Sequence, residues 1–180
     1  MDIKSIDLIL QNLESDLHKY EFIVSQVHNT DLSSNKEFQK AFNGFFKMRQ
    51  RSQEFYTLYF SLFESLKTQS PDFSTIIKTL YNETNRVEAS FSSKMLATID
   101  PTYPILDKFV LQNFGLKLPY PSAKNRIEKT ISVYDDIINR YQSFMGTSEC
   151  TELLQKFDAQ FPNSTISDIK KIDFVLWKLR

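Results

Sequence analysis

Glycine is nearly absent: the 180 residues hold three, Gly44, Gly115 and Gly146. Phosphate-cradling loops and dinucleotide fingerprints need clustered glycines, because only glycine lets backbone amides close on a phosphate at positive φ. Those nucleotide-binding classes are excluded. A single cysteine, Cys150, excludes an internal disulfide and an iron–sulfur cluster held by four thiolates. The two histidines, His18 and His28, stand without a partner set at metal spacing, so no metal and no cofactor are expected. No apolar run reaches membrane-spanning length and none resembles a leader, so the expectation is a soluble chain in a reducing cytoplasm.

Excess charge is also missing. Lys and Arg number 22 and so do Asp and Glu. A zero balance lacks the general positive field that drives unspecific nucleic-acid binding. The charges are unevenly placed, however. Residues 1–40 carry four basic and seven acidic groups, and residues 41–180 carry 18 basic and 15 acidic ones. A local basic face is compatible with that skew.

What is abundant is aromatic and helical. Sixteen Phe and eight Tyr sit in a chain that is 41% hydrophobic, enough for a buried core without staples. Ile6, Ile9, Leu10, Leu13, Leu17, Tyr20 and Val24 recur at helical intervals and predict one long amphipathic helix. Ser33, Ser34 and Asn35 offer caps for a short helix through Phe38 and Phe42, which Gly44 is expected to interrupt. Phe55, Leu58, Tyr59, Leu62 and Leu66 form a stripe that Phe60 and Phe63 widen. Ser70-Pro71-Asp72 ends one helix and starts the next. Pro101 stops a fifth helix, Pro104 opens a sixth, and Gly115 closes it. Ser167 caps the last helix, with Trp177 expected in the core beside Phe174. No run alternates over strand length. The fold class is all-α, with eight or nine helices in a single compact domain, and residues 1–33 are set off as a helical appendage by the charge shift.

One stretch carries most of the functional information. "SSKMLATIDPTYPILDKFVLQNFGL", Ser92 to Leu116, places a proline-bracketed aspartate between two helices. Pro104-Ile105-Leu106-Asp107-Lys108-Phe109-Val110 resembles the Pro–apolar–apolar–Asp–x–x–Val turn of the helix-hairpin-helix DNA glycosylase superfamily. The ending "SDIKKIDFVLWKL", Ser167 to Leu179, is similar to the closing helix of its shortened bacterial relatives. The resemblance spans roughly residues 75–180. It implies a helix-hairpin-helix-like arrangement in the C-terminal half, with Asp107 as the catalytic carboxylate and Lys94 as the amine nucleophile of bifunctional members. It also implies DNA contacts from Arg86, Ser90, Ser92, Ser93 and Lys108. The chemistry is coherent. An aspartate near a helix start stays ionised, and an ionised carboxylate in a dry pocket stabilises a developing cationic sugar. A lysine attacks only when burial or nearby cations lower its pKa. Family hairpins that grip DNA read Gly-x-Gly, whereas "NETNRVEASFSS", Asn82 to Ser93, has no glycine.

A second stretch, "FFKMRQR", interleaves Phe45 and Phe46 with Lys47, Arg49 and Arg51. It reads either as a stacking surface for single-stranded nucleic acid or as one apolar and one solvated face. Three functions therefore stay open. The first is a non-catalytic, DNA-associated binding module on the glycosylase-like scaffold. The second is an active glycosylase that uses Asp107. The third is an unrelated helical domain that binds a protein partner or a second copy of itself, presenting its first helix. No membrane partner is expected.

Overall fold

The structure, a computed structural model, describes residues 3–48 and 50–179, with side chains from residue 6 onward. Among the described residues there are ten α-helices and no strand. They are α1 (Ile3–Gln11), α2 (Glu14–Val27), α3 (Lys36–Phe45), α4 (Gln53–Leu66), α5 (Phe73–Thr84), α6 (Ala89–Ile99), α7 (Lys108–Asn113), α8 (Arg126–Met145), α9 (Ser148–Gln160) and α10 (Asp168–Lys178).

The helix count exceeds the eight or nine expected because the first long helix is two. The Asn12 side-chain amide donates to Leu8 O at 2.9 Å, and the Asn12 and Leu13 amides fall back on Ile9 O and Leu10 O. These tighter three-residue bonds end α1. The apolar stripe continues across the break, with Ile6, Leu10, Leu13, Leu17 and Tyr20 all buried. Periodicity alone therefore does not reveal it. Gly44, expected to interrupt the next helix, lies inside α3.

The chain forms two compact units, one of Ser15–Asp100 and one that joins Met1–Glu14 to Pro101–Arg180. The Ser15–Asp100 unit is built on rings. Phe42 meets Phe60 and Phe63 edge-on at 5.8 and 5.5 Å, and Tyr59 meets Phe91 at 5.7 Å and 82°. Edge-to-face contacts set the positive rim of one ring against the negative face of another. Asn35, Ser52 and Asp72 accept amide bonds from Phe38, Phe55 and Thr75, which fixes the starts of α3, α4 and α5. Asn85 ends α5 in the left-handed region, where an asparagine is tolerated. α6 then enters the core, and every residue from Phe91 to Thr98 is buried, polar ones included.

In the other unit, α1 packs on α9 and α10. The Lys156 ammonium reaches Asp7 at 2.8 Å across the α9–α1 contact. Tyr134, Ile137, Tyr141, Cys150, Leu153, Phe157, Ile172 and Val175 form the core. α7 ends as expected at Gly115, whose φ is 65°. Gly115 N bonds Gln112 O and Leu116 N bonds Leu111 O, the paired bonds of a left-handed helix stop. α10 is buried from Lys170 to Leu176, whereas Trp177 is half-buried rather than in the core.

Candidate functional site

The corner from Pro101 to Val110 is neither helix nor strand until α7 begins, yet Pro104, Ile105 and Leu106 are buried. Buried irregular backbone must find partners for its polar groups outside any regular ladder. Here side chains from α8, from α10 and from its cap supply them. Ser167 Oγ donates to Pro101 O at 2.5 Å, Lys170 Nζ to Tyr103 O at 2.9 Å, and Tyr134 Oη to Pro104 O at 2.8 Å. The Ile105 amide donates to the Asp173 carboxylate. Four side-chain bonds, to Pro101, Tyr103, Pro104 and Ile105, thus hold the path that delivers Asp107.

Behind the corner lies a buried ionic network. Lys170 Nζ is 2.7 Å from Asp173 Oδ2, and Tyr141 Oη donates to Asp173 Oδ1 at 2.5 Å. Lys170 is 2% exposed and Asp173 7%, so neither charge is relieved by water. Burial pushes the Asp173 carboxyl above the usual range, against the pull of Lys170, the Tyr141 hydroxyl and the Ile105 amide. Burial, with the charges of Asp173 and Asp107 added, drives the Tyr141 phenol well above its ordinary value. Tyr141 therefore remains a donor. The neighbouring Lys171 is held between Asp158 at 2.7 Å and Asp168 at 2.9 Å.

Asp107 is the N-cap of α7. Its Oδ1 accepts the Phe109 and Val110 amides, both at 2.9 Å, and the residue is half-buried. That carboxylate oxygen satisfies two of the amides left open at a helix start. Lys108 follows as the first residue of α7 and is exposed.

The remaining residues of the sequence reading lie in the Ser15–Asp100 unit. Lys94 is not a solvated helix residue: it is 8% exposed, and Nζ donates to Phe46 O at 3.0 Å. Ser92 and Ser93 are both 0% exposed. Ser92 Oγ donates to Glu88 O and Ser93 Oγ to Ser90 O, within their own helix. Neither hydroxyl faces a phosphate from solution. Ser90 is half-buried, and Arg86 is exposed just after the left-handed turn at Asn85.

The "FFKMRQR" stretch turns its rings inward. Phe46 is 1% exposed and Met48 4%, while Phe45 is half-buried against Phe46 and Tyr20. Arg51 makes two bonds to the Glu88 carboxylate, at 3.0 and 2.9 Å, and lies over the Phe91 ring at 5.0 Å. Tyr56 Oη holds Met48 O at 2.9 Å. This loop is fastened backbone with Lys47 and Gln50 at positive φ, and among its described residues Phe46 and Met48 are buried rather than offered for stacking. Arg49 lies outside the described residues.

Sequence reasoning missed Tyr134, Tyr141, Lys170 and Asp173. Their one signal is a lysine and an aspartate three apart on α10, a spacing that the charged residues Asp168, Lys171 and Lys178 of the same helix do not set apart. Among the described residues, no group of three or more His, Cys, Asp and Glu is placed to hold a metal ion. No helix there is long and apolar enough to cross a membrane. No family model, no curated protein and no solved structure matches the chain.

Proposed function

We propose that the chain is a DNA-associated binding module on a helix-hairpin-helix-glycosylase-like scaffold, without base-excision chemistry. One observation carries this reading: the two side chains that the resemblance would use for chemistry are engaged as structural fasteners. Asp107 gives one oxygen to two α7 amides, and the buried ammonium of Lys94 is bonded to Phe46 O. A carboxylate that caps a helix and an ammonium that closes a loop stabilise the scaffold whether or not a substrate is present. The buried serines of α6 and the glycine-free Asn82–Ser93 stretch point the same way. Scaffolds outlast the sites built on them. Ile6 and Leu10 of α1 are buried against α9 and α10, which counts against the third reading, although Leu8 of the same helix is exposed.

The test is fluorescence anisotropy with a labelled duplex carrying an abasic-site analogue, beside an intact duplex, at two salt concentrations. A binding module binds DNA, weakens with salt, and loses no affinity in Asp107→Asn. Preference for the abasic duplex that Asp107→Asn removes would instead support an active glycosylase. No binding to either duplex at low salt would end the DNA reading.

A further inference from the structure

The loop between α7 and α8, residues 115–125, reads "GLKLPYPSAKN". Its centre is Tyr120, 83% exposed, with Leu118 beside it at 38%. These are two of only four large apolar side chains that stand exposed among the described residues. The ring is not on a slack segment. Ala123 N donates to Tyr120 O at 3.0 Å, which closes a turn with Pro121 in its second position, where the fixed proline φ suits it. Pro119 restricts the other side. An outward ring on such a turn loses little freedom when something stacks on it.

The charge along the loop itself has one sign. No acidic residue occurs from Lys108 to Ile127, while Lys108, Lys117 and Lys124 are exposed along that stretch. Arg51, in the other aromatic and basic stretch, is neutralised by Glu88, and the rings there are turned inward. An exposed aromatic ring on a closed turn, within four residues of two exposed lysines and with no carboxylate in the stretch, is complementary to a ligand that pairs a flat π surface with repeated negative charge. Single-stranded nucleic acid has both. An acidic peptide supplies the charge without the recurring flat faces.

We propose that this loop is a stacking contact for an unpaired base, with Tyr120 as the platform and Lys117 and Lys124 on the flanking phosphates. The proposal rests on the DNA-binding reading above and assigns it a surface. The test titrates the full chain against a labelled oligothymidine of about 12 nucleotides. Tyr120→Ala weakens binding roughly five- to a hundredfold, and Tyr120→Phe, which keeps the ring, stays within about twofold. Lys117→Ala with Lys124→Ala lowers the slope of log affinity against log salt by about 1.4. Melting temperatures unchanged in all variants exclude a folding effect. Equal oligonucleotide affinity in Tyr120→Ala and the parent overturns the loop assignment while leaving the DNA reading intact. No binding of oligonucleotide or duplex at low salt overturns both. Binding to anionic vesicles that Tyr120→Ala abolishes, with no oligonucleotide binding, overturns the proposal in favour of a membrane surface.

Discussion

α6 is buried from Phe91 to Thr98 and α10 from Lys170 to Leu176, and both helices bury lysine. Lys94 holds Phe46 O and Lys170 holds Tyr103 O, in each case the carbonyl of an irregular segment of the same unit. The difference lies in the surroundings. Lys170 sits in a buried ionic network with Asp173 and Tyr141. In the Ser15–Asp100 unit an ion pair lies nearer water: Arg51, about a quarter exposed, meets Glu88 in front of α6. Glu88 gives no side-chain cap to α6 and spends its carboxylate on Arg51. Lys94, Lys170 and Asp173 thus fasten backbone that no regular ladder satisfies, and the corner at Asp107 is the more heavily fastened place.

The largest expected effect comes from opening the α10 network. Asp173→Ala strands the Lys170 charge and is expected to cost about 3–5 kcal/mol in urea unfolding. Replacing both partners, Lys170→Met with Asp173→Leu, is expected to cost clearly less than the sum of the single changes, because no unpaired charge remains. Additive losses would show that the two side chains act independently. Lys94→Met keeps the apolar stem and drops the bond to Phe46 O, for an expected loss of about 1–3 kcal/mol. A loss as large as that of Asp173→Ala would erase the contrast between the two helices.

Asp107 comes next. As an N-cap it is expected to cost about 1 kcal/mol when changed to Ala and only a few tenths when changed to Asn, a comparably good cap. Thermal melts of the pair check this. Equal destabilisation by both would mean that the negative charge, not the capping oxygen, is what matters there. The smallest effect is at Asp72, whose carboxyl the Thr75 bonds hold below its ordinary value. The unfolded chain then binds more protons than the folded one, so the contribution is present above the ordinary aspartate range. It is lost as pH falls through the lowered folded value. Asp72→Asn is expected to make stability less steep as pH falls below the ordinary aspartate range. An acid limb unchanged from the parent would assign the loss to other groups.

Much of the scaffold is legible in the sequence because it is local. Helical stripes, the caps at Asn35 and Ser167, and the stop at Gly115 depend on residues within a few positions of each other. Asp107 near a helix start is legible for the same reason, although α7 begins at Lys108 rather than at Pro104. What is not legible is which polar residues go inside. "VEASFSSKMLATID" has the serines and the lysine of a solvated face, yet α6 is enclosed on all sides. Lys94 meets its carbonyl 48 residues away and Lys170 meets Tyr103 67 residues away, separations over which no periodicity carries information. The two aromatic and basic stretches show the same limit. Composition alone does not say that Phe46 points in and Tyr120 points out.

The most direct measurement is single-turnover base release from duplexes carrying deaminated or alkylated bases, by the parent protein and by Asp107→Asn. With Asp107 serving as a cap, neither protein releases a base, and both bind the duplexes alike. Release by the parent that Asp107→Asn abolishes at an unchanged melting temperature would contradict that account and return Asp107 to the chemistry.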